Sequence, residues 1–391
     1  MSDPEILVTA LAVIYLSECV HWAGGGAVVF RSYFSWHAQL CYPSPYVGNR
    51  TVGAVPLNPI APFGFSYFCC EPSIAYSIDG VTAFEYDEIG PIDGRHDLRG
   101  RFCDYARITG IAPESKNLLI NGEHFAKTGS TWSASHHANV IESLCMSLIS
   151  ERGQIIVSEL RSAFDADEIR KRLSVYRRIT KWLRIWCALL FTEMLVVLPA
   201  TVLSQHLSRT WHWQLGVTVL LIVAIQIEFA RSYGALFPGE RTKRRKTMVT
   251  MAISPPMAVR AYQNVAADLL WQFDPLAVSY VCCNETDFRA FARRRLLEAK
   301  YPLSPRDNET SQHSEACMAW YTSRYIEQTV AFVLERGIDL GELLGPPPID
   351  GQDCRSYCPR CDRTYIRDDG NCGHCPGIQL VRFDLSSTTN S

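Results

Sequence analysis

Two long apolar segments lie close together in the middle of the chain, and they constrain its fold more than any other feature. Residues 185–205 and 211–230 are mainly apolar, and each has about the 20 residues that a helix needs to cross roughly 30 Å of hydrocarbon. Only residues 206–210 connect them, so the sequence predicts an antiparallel transmembrane hairpin. Indole rings, which favour the headgroup zone, stand at the ends of the two segments: Trp186, Trp211 and Trp213. A pair of buried helices in a soluble bundle is the alternative.

Basic residues around the hairpin indicate its orientation. Seven lysines or arginines lie within residues 170–184 and six within residues 231–246, whereas the connection carries only Arg209. The positive-inside rule therefore predicts that both ends of the hairpin, and the bulk of the chain, are cytoplasmic, at a plasma or inner membrane. These clusters and the run Arg293–Arg295 are expected to contact anionic lipid headgroups.

A third apolar segment, from Ile6 to about Phe30, is predicted to span the membrane as well. Glu18, His21 and the three glycines at 24–26 weaken its second half, so an interfacial or buried helix is the alternative. The chain begins with acidic rather than basic residues. Because a cleaved signal peptide needs a basic start, this segment is expected to be retained.

Outside the apolar segments, the sequence predicts strands in the first third of the chain and helices after it. Residues 31–130 are rich in proline, glycine and aromatic residues, and Asn121–Gly122 is a strong β-hairpin signal. From about Ser135 an apolar stripe with helical spacing runs to Leu148 and Ile149, with Gly153 as its expected end. Further helical stripes cover residues 262–273 and 318–333.

Asp165 and Glu168 have the spacing of a capping box. They predict a helix that begins at this point and continues into the first arm of the hairpin as one long rod. Glu193 lies in the middle of that arm, at about the same depth as Gln226 in the second arm. A hydrogen bond between these two side chains is the structural interpretation, and proton or ion transport is the functional one.

Four of the fifteen cysteines form two CxxC pairs near the C-terminus, with ten residues between the pairs. A CxxC turn places two thiolates about 2.3 Å from one cation, and two such turns complete a tetrahedral shell. Thiolate ligands in a reducing compartment favour zinc, and a full shell implies a structural site. Unrelated cysteines or two redox pairs are the alternatives. The predicted ligands are Cys358, Cys361, Cys372 and Cys375.

Residues 357–362 (Tyr-Cys-Pro-Arg-Cys-Asp) and 371–377 (Asn-Cys-Gly-His-Cys-Pro-Gly) resemble the two knuckles of the zinc-ribbon family. The resemblance covers roughly 30 residues and implies a structural Zn²⁺ held by the four cysteines. Asp362 stands where that family usually has a glycine. Zinc ribbons serve many functions, so the resemblance implies a module and no particular activity.

Together these features predict an α+β membrane protein that is mostly helical. It has a small β-containing N-terminal cytoplasmic region, a transmembrane helical hairpin and a C-terminal zinc ribbon. The expected divisions are an N-terminal hydrophobic segment (1–30), a cytoplasmic α+β region ending in a long helix (31–184), the hairpin (185–230), a cytoplasmic helical region (231–345), and a stiff proline linker followed by the ribbon and a polar tail (346–391).

No motif of catalysis or nucleotide binding appears, and the net charge of −2 disfavours nucleic acid as a partner. The expected function is a non-enzymatic scaffold or adaptor in the lipid bilayer, with the ribbon as its contact for a protein partner. A homo-oligomer is left open. The alternatives are a membrane enzyme with a site in residues 31–150 and a small transporter subunit that uses Glu193. The sequence does not decide whether the chain is an enzyme.

Overall fold

The structure is a computed structural model of a mostly helical protein with several small antiparallel sheets. It describes residues 3–18, 20–23, 27–32, 53–56, 65–70, 74–86, 98–114, 117–128, 131–204, 207–301, 312–349, 353–375 and 377–383. Most of the proline-rich stretch after Ser32 and the polar tail after Phe383 lie outside these residues. The helical and β content agrees with the predicted mixture.

Helices account for most of the chain after residue 130. In chain order they are α1 (Asp3–Glu18), α2 (Thr131–Met146), α3 (Ile149–Ala163), α4 (Ala166–Ile179), α5 (Lys181–Thr192), α6 (Leu198–Leu203), α7 (Leu207–Leu236), α8 (Arg241–Ile253), α9 (Pro255–Val259), α10 (Ala261–Leu270), α11 (Pro275–Cys282), α12 (Glu285–Lys300), α13 (Gln312–Leu334) and α14 (Leu340–Leu343). A wide π-helical turn, Glu193–Val197, joins α5 to α6.

The described strands pair antiparallel, either with the next strand in the chain or with the strand after it. They are β1 (Val20–Ala23), β2 (Ala27–Ser32), β3 (Gly53–Pro56), β4 (Phe65–Cys70), β5 (Ile74–Tyr76), β6 (Gly80–Tyr86), β7 (Leu98–Asp104), β8 (Ile111–Glu114), β9 (Asn117–Ile120), β10 (Glu123–Lys127), β11 (Ser356–Tyr357), β12 (Thr364–Tyr365) and β13 (Val381–Arg382). The sheets have the orders β1-β3, β2-β4, β5-β6-β7, β8-β9-β10 and β12-β11-β13.

The predicted β-hairpin at Asn121–Gly122 is confirmed. Both residues have positive φ, 55° and 81°, as a two-residue turn between β9 and β10 requires. The Asn121 side chain also accepts hydrogen bonds from the backbone of Thr109 and Gly110. The hairpin is thereby fixed to the preceding loop.

The helical stripe that follows ends earlier than predicted. α2 stops at Met146, and α3 begins at Ile149, so Gly153 lies inside a second helix. Ile141 is buried, whereas Leu148 and Ile149 are exposed. The reason is tertiary: the Arg152 side chain donates to the carbonyls of Leu144 (2.9 Å) and Ile78, so it caps α2 and holds it against the β5–β6 turn.

The N-terminal segment does not form one helix from Ile6 to Phe30. α1 ends at Glu18, and the chain continues as β1 and β2. A helix of this length is about 24 Å long, which is shorter than the roughly 30 Å of a hydrocarbon core. α1 instead packs on the hairpin, with the ring of Tyr15 edge-on to that of Phe191.

The two apolar segments form helices that pack side by side. Residues Lys181–Leu203 and Trp211–Leu236 are each long and apolar enough to cross a membrane. α5 contacts α7, and near the connection Gln214 Nε2 donates to Thr201 Oγ1 at 2.6 Å. The structure thus contains the predicted pair of adjacent apolar helices, which by length and composition alone is weak evidence for a membrane.

The cap of α4 is as predicted, but the long rod is broken. Asp165 accepts from the backbone N–H groups of Asp167 and Glu168. At Thr180 the backbone leaves helical geometry (ψ 8°), and its hydroxyl bonds the Tyr176 carbonyl at 2.7 Å. α4 and α5 are therefore two helices that meet at a bend.

One continuous apolar core joins α1, the hairpin, the β5-β6-β7 and β8-β9-β10 sheets and the later helices. The stripe predicted for residues 262–273 lies in it, with Tyr262, Val265 and Leu270 buried. α13 covers the β5-β6-β7 sheet, so Val81 and Ala83 are buried as well. The segments on either side of the hairpin are therefore packed on it and on each other.

Candidate metal centre

The four predicted ligands come together at the C-terminus. The sulphur atoms of Cys358, Cys361, Cys372 and Cys375 lie within 4.8 Å of one another. Cys361 Sγ and Cys372 Sγ are 3.7 Å apart. Sulphur atoms about 2.3 Å from a common ion in a tetrahedron would be separated by roughly 3.8 Å. The donor set and its spacing therefore fit one four-coordinate metal ion.

Each CxxC pair lies at the tip of a small hairpin. The first tip joins β11 to β12, where Cys358 N–H donates to the Arg363 carbonyl at 2.9 Å. In the second, Cys372 N–H donates to the Ile378 carbonyl at 2.8 Å, and Asn371 bridges to Gln379. The two tips face each other, which brings the pairs to one point.

Backbone geometry completes both turns. Asp362 has a φ of 59° and Gly377 a φ of 79°, so each CxxC is followed by a left-handed residue. A non-glycine residue costs about 1 kcal/mol there. Asp362, which stands where zinc ribbons usually have glycine, is therefore a strained residue. A favourable contact of its side chain is needed to offset this strain.

Hydrogen bonds and one buried cation surround the sulphur atoms. The N–H groups of His374 and Cys375 point at Cys372 Sγ, each at 3.3 Å, and Tyr365 Oη lies 3.1 Å from the same atom. Arg360 is buried, and its Nη1 lies 3.8 Å from Cys375 Sγ. Four thiolates around a divalent ion leave two negative charges, which these donors and the guanidinium partly offset.

The four thiols lie close enough to affect one another's ionisation. The neighbouring Cys361 and Cys375 side chains lower the pKa of Cys358, and their interaction with Cys358 raises the pKa of Cys375. The hydrogen bond to Cys358 also raises the pKa of Cys361. Without a cation, one thiolate forms at the expense of the others. A bound metal would let all four ionise and would release their protons.

The C-terminal module (residues 353–383) is docked on the body and not merely tethered to it. Arg293 of α12 forms a two-bond ion pair with the Asp362 carboxylate, at 2.6 and 2.8 Å. The same guanidinium donates to the carbonyls of Leu343 and Gly345. This ion pair offsets the strain at Asp362. The proline linker predicted for residues 346–348 therefore does not keep the module apart from the body.

The run Arg293–Arg295 also differs from its prediction as a lipid-binding patch. Besides Arg293, Arg294 pairs with Glu298 at 3.2 Å, and the buried Arg295 donates to the Tyr325 hydroxyl at 2.8 Å. Three successive helical residues point in different directions, so the three side chains serve three internal contacts.

We expect Arg293→Ala to loosen the docked module without removing its ligands. Loss of charge-assisted hydrogen bonds should lower the free energy of unfolding by on the order of 2 kcal/mol and speed hydrogen exchange in residues 353–383. Arg289→Ala is the matched control, because Arg289 pairs with Glu285 and Glu342 at the surface. Its effect should be under about 1 kcal/mol. Equal effects of the two substitutions would contradict the docking role.

Glu193 lies in the π-helical turn and does not have the predicted partner. Its Oε1 atom is buried, with no hydrogen-bond partner among the described residues, so Gln226 does not hold it. Pro199 explains the turn: it has no N–H to donate, and its ring crowds the preceding helical turn. The wide turn just before it accommodates the proline and reorients Glu193.

We expect Glu193→Leu to stabilise the hairpin, because it removes an unpaired buried polar group. Such a group costs about 1–3 kcal/mol, which thermal unfolding in detergent would register as a higher Tm. Glu193→Gln is the control, since it keeps a polar group at the same place and should change the Tm little. A loss of stability in Glu193→Leu would instead show that the carboxyl has a partner, and would favour the transport interpretation.

In the described part of residues 31–150, where an enzyme site is the alternative, one histidine is closed off from solvent. His137 of α2 and Tyr76 of β5 are 6% and 3% exposed, and the Tyr76 hydroxyl bonds His137 Nδ1. Burial and the neighbouring His136 lower the pKa of His137 to about 3. Burial likewise raises the pKa of Tyr76. Both groups are therefore neutral at pH 7, with the tyrosine donating to the imidazole.

Two clefts lie elsewhere on the surface. One, of about 450 Å³, runs between α3 and α13 and is lined by Arg161, Trp320 and Arg324 among others, with no acidic or histidine side chain in its lining. The other, of about 750 Å³, lies beside the cysteine cluster, between Arg293, the linker prolines and residues 361–364. Neither brings together an acid and a base in the way that catalysis requires.

Among the residues around the cluster, sequence reasoning missed Arg293, Arg360 and Tyr365. Arg360 lies inside the first CxxC. An arginine at this place could have been predicted to offset the negative charge of the thiolates. Arg293 gave no such signal, because its partner is 69 positions away. No protein-family model, no curated protein and no solved structure matches the chain in comparisons with known proteins.

Proposed function

We propose that this protein is a non-enzymatic membrane scaffold or adaptor, anchored by the hairpin, with a structural zinc ribbon as its contact for a protein partner. One observation carries the membrane anchor: the two apolar helices leave large apolar side chains exposed along their length. Only 22% of each apolar window is buried, and Leu220 and Ile227 are 63% and 62% exposed. Soluble proteins rarely expose apolar surface of this extent.

The chemistry of the donor set supports zinc as the metal. Four thiolates suit zinc in tetrahedral geometry, and a complete shell leaves no position for water or substrate. The four cysteines would hold the ion, and the ion would supply only structural cross-linking. The cleft beside the cluster, lined by Pro347, Pro348 and Arg363 among others, supports a protein partner at this surface.

Fractionation and protease protection test the anchor and its orientation. An integral protein should stay in the membrane pellet after washing with alkaline carbonate. A C-terminal epitope tag should be cleaved by protease in inside-out vesicles and protected in right-side-out ones, as expected for cytoplasmic ends. Release by carbonate would reject the membrane anchor. The reverse pattern of cleavage would reject the orientation alone.

A further inference from the structure

The chain leaves the hairpin at its basic end and then returns to it. After α7, α8 packs back along the same helix, and α9 contacts α1, α5 and α7. Cys187 Sγ of α5 donates to the carbonyl of Ala258 in α9 at 3.4 Å. Cys187 lies about 9 Å along the helix from Lys181, inside the apolar window. α9 is therefore level with the apolar part of α5 and does not lie beyond its end.

Charge is segregated along this returning segment. Residues 241–246 include five lysines or arginines, and residues 247–259 include no charged residue. Thirteen uncharged residues are too few to cross a bilayer, which needs about 20. They are enough for a segment that enters one leaflet and turns back.

The outer face of α8 is apolar where the segment is uncharged. Val249 and Ile253 are 59% and 78% exposed, and their spacing of four places them on one face of the helix. Met251, on the opposite side, is fully buried. Around the level of Cys187, α5 also exposes apolar side chains, at Ile185 and Leu189.

In the turn between α8 and α9 the backbone N–H groups are either hydrogen-bonded or, at proline, absent. Ser254 N–H donates to the Thr250 carbonyl at 2.9 Å, and Met257 N–H donates to the Ser254 carbonyl at 3.0 Å. The two residues between them, Pro255 and Pro256, have no N–H to satisfy. The stretch from Ser254 to Met257 therefore presents no unpaired backbone N–H group.

From these observations we infer that residues 247–259 form a re-entrant membrane segment in the cytoplasmic leaflet. Val249 and Ile253 contact lipid acyl chains, and the exposed Arg245 and Lys246 lie one turn or two nearer the aqueous phase, where they bind anionic headgroups. The inference rests on the proposed membrane anchor. A lipid occupant is favoured over a protein because basic residues adjoin the apolar face and the exposed hairpin surface continues it.

Site-specific photocrosslinking of the full-length protein tests this inference. A diazirine amino acid would replace Ile253 in one variant, Leu220 of the hairpin in a second and the exposed Ile366 of the C-terminal module in a third. Each would be irradiated in vesicles of phosphatidylcholine and phosphatidylglycerol, and adducts identified by mass spectrometry. We expect lipid adducts at positions 253 and 220, and none at position 366.

The outcomes separate this inference from the membrane anchor. Lipid adducts at 220 without any at 253 would overturn the re-entrant segment and leave the anchor intact, and protein adducts at 253 would indicate a protein occupant. Absence of lipid adducts at both positions would overturn the anchor too.

A second experiment tests headgroup binding, with the diazirine at Val249. The double substitution Arg245→Gln and Lys246→Gln should lower the share of phosphatidylglycerol among the lipid adducts. An unchanged share would overturn headgroup binding by these residues.

Discussion

Cys372→Ser is expected to abolish stoichiometric zinc binding and to unfold the C-terminal module. Cys372 Sγ has two backbone N–H groups and the Tyr365 hydroxyl around it. The module has only a small apolar cluster of its own, around Leu380. Metal binding should therefore supply most of its folding free energy, on the order of 10 kcal/mol for a structural zinc site.

Metal analysis of the full-length protein, purified under reducing conditions, would measure this effect. One Zn²⁺ per chain is expected in the wild type and close to none in Cys372→Ser. Cys354→Ser is the matched control, since Cys354 lies in the same module but outside the cluster, and it should keep the metal. Unchanged zinc content in Cys372→Ser would mean that the cluster is not the metal site. Because Arg293 would lose its ordered partner, faster hydrogen exchange in α12 around Arg293 should accompany loss of the metal.

Acidification is expected to destabilise the body through His137. Its pKa is about 3 in the folded protein and near 6.5 in an unfolded chain. Between these values the unfolded state binds more protons, so stability falls as the pH falls. The contribution is complete above pH 6.5 and should decline by roughly 3 kcal/mol between pH 7 and pH 4, at about 1.4 kcal/mol for each pH unit below 6.5.

Chemical denaturation in mild detergent at several pH values would measure this decline. His137→Gln is the matched variant, because an amide can still accept from Tyr76 but does not titrate. The difference in pH dependence between wild type and variant isolates His137 from carboxyls such as Asp274, whose pKa burial raises. Parallel curves for the two proteins would show that His137 is not the titrating group.

Local patterns determined several features without any tertiary information. The Asn121–Gly122 hairpin needs only two residues that accept positive φ, and the Asp165 cap needs only an oxygen within reach of the next turn. The four-cysteine cluster followed from CxxC spacing, because that spacing itself places two sulphur atoms on one side of a turn. The apolar helix pair followed from length and hydropathy.

The features that sequence reasoning missed depend on partners far away in the chain. α2 ends at Met146 because Arg152 caps it, and Arg293 is committed to Asp362 rather than to lipid. The return of α8 and α9 to the hairpin joins Ala258 to Cys187. The spacing of apolar residues indicates which face of a helix or strand is apolar, but it does not indicate which other element packs on that face. The sequence alone therefore determined the four-cysteine cluster and the apolar helices. Tertiary structure decided where each helix ends and what the basic residues bind, because those choices are made by contacts between segments that are remote in sequence.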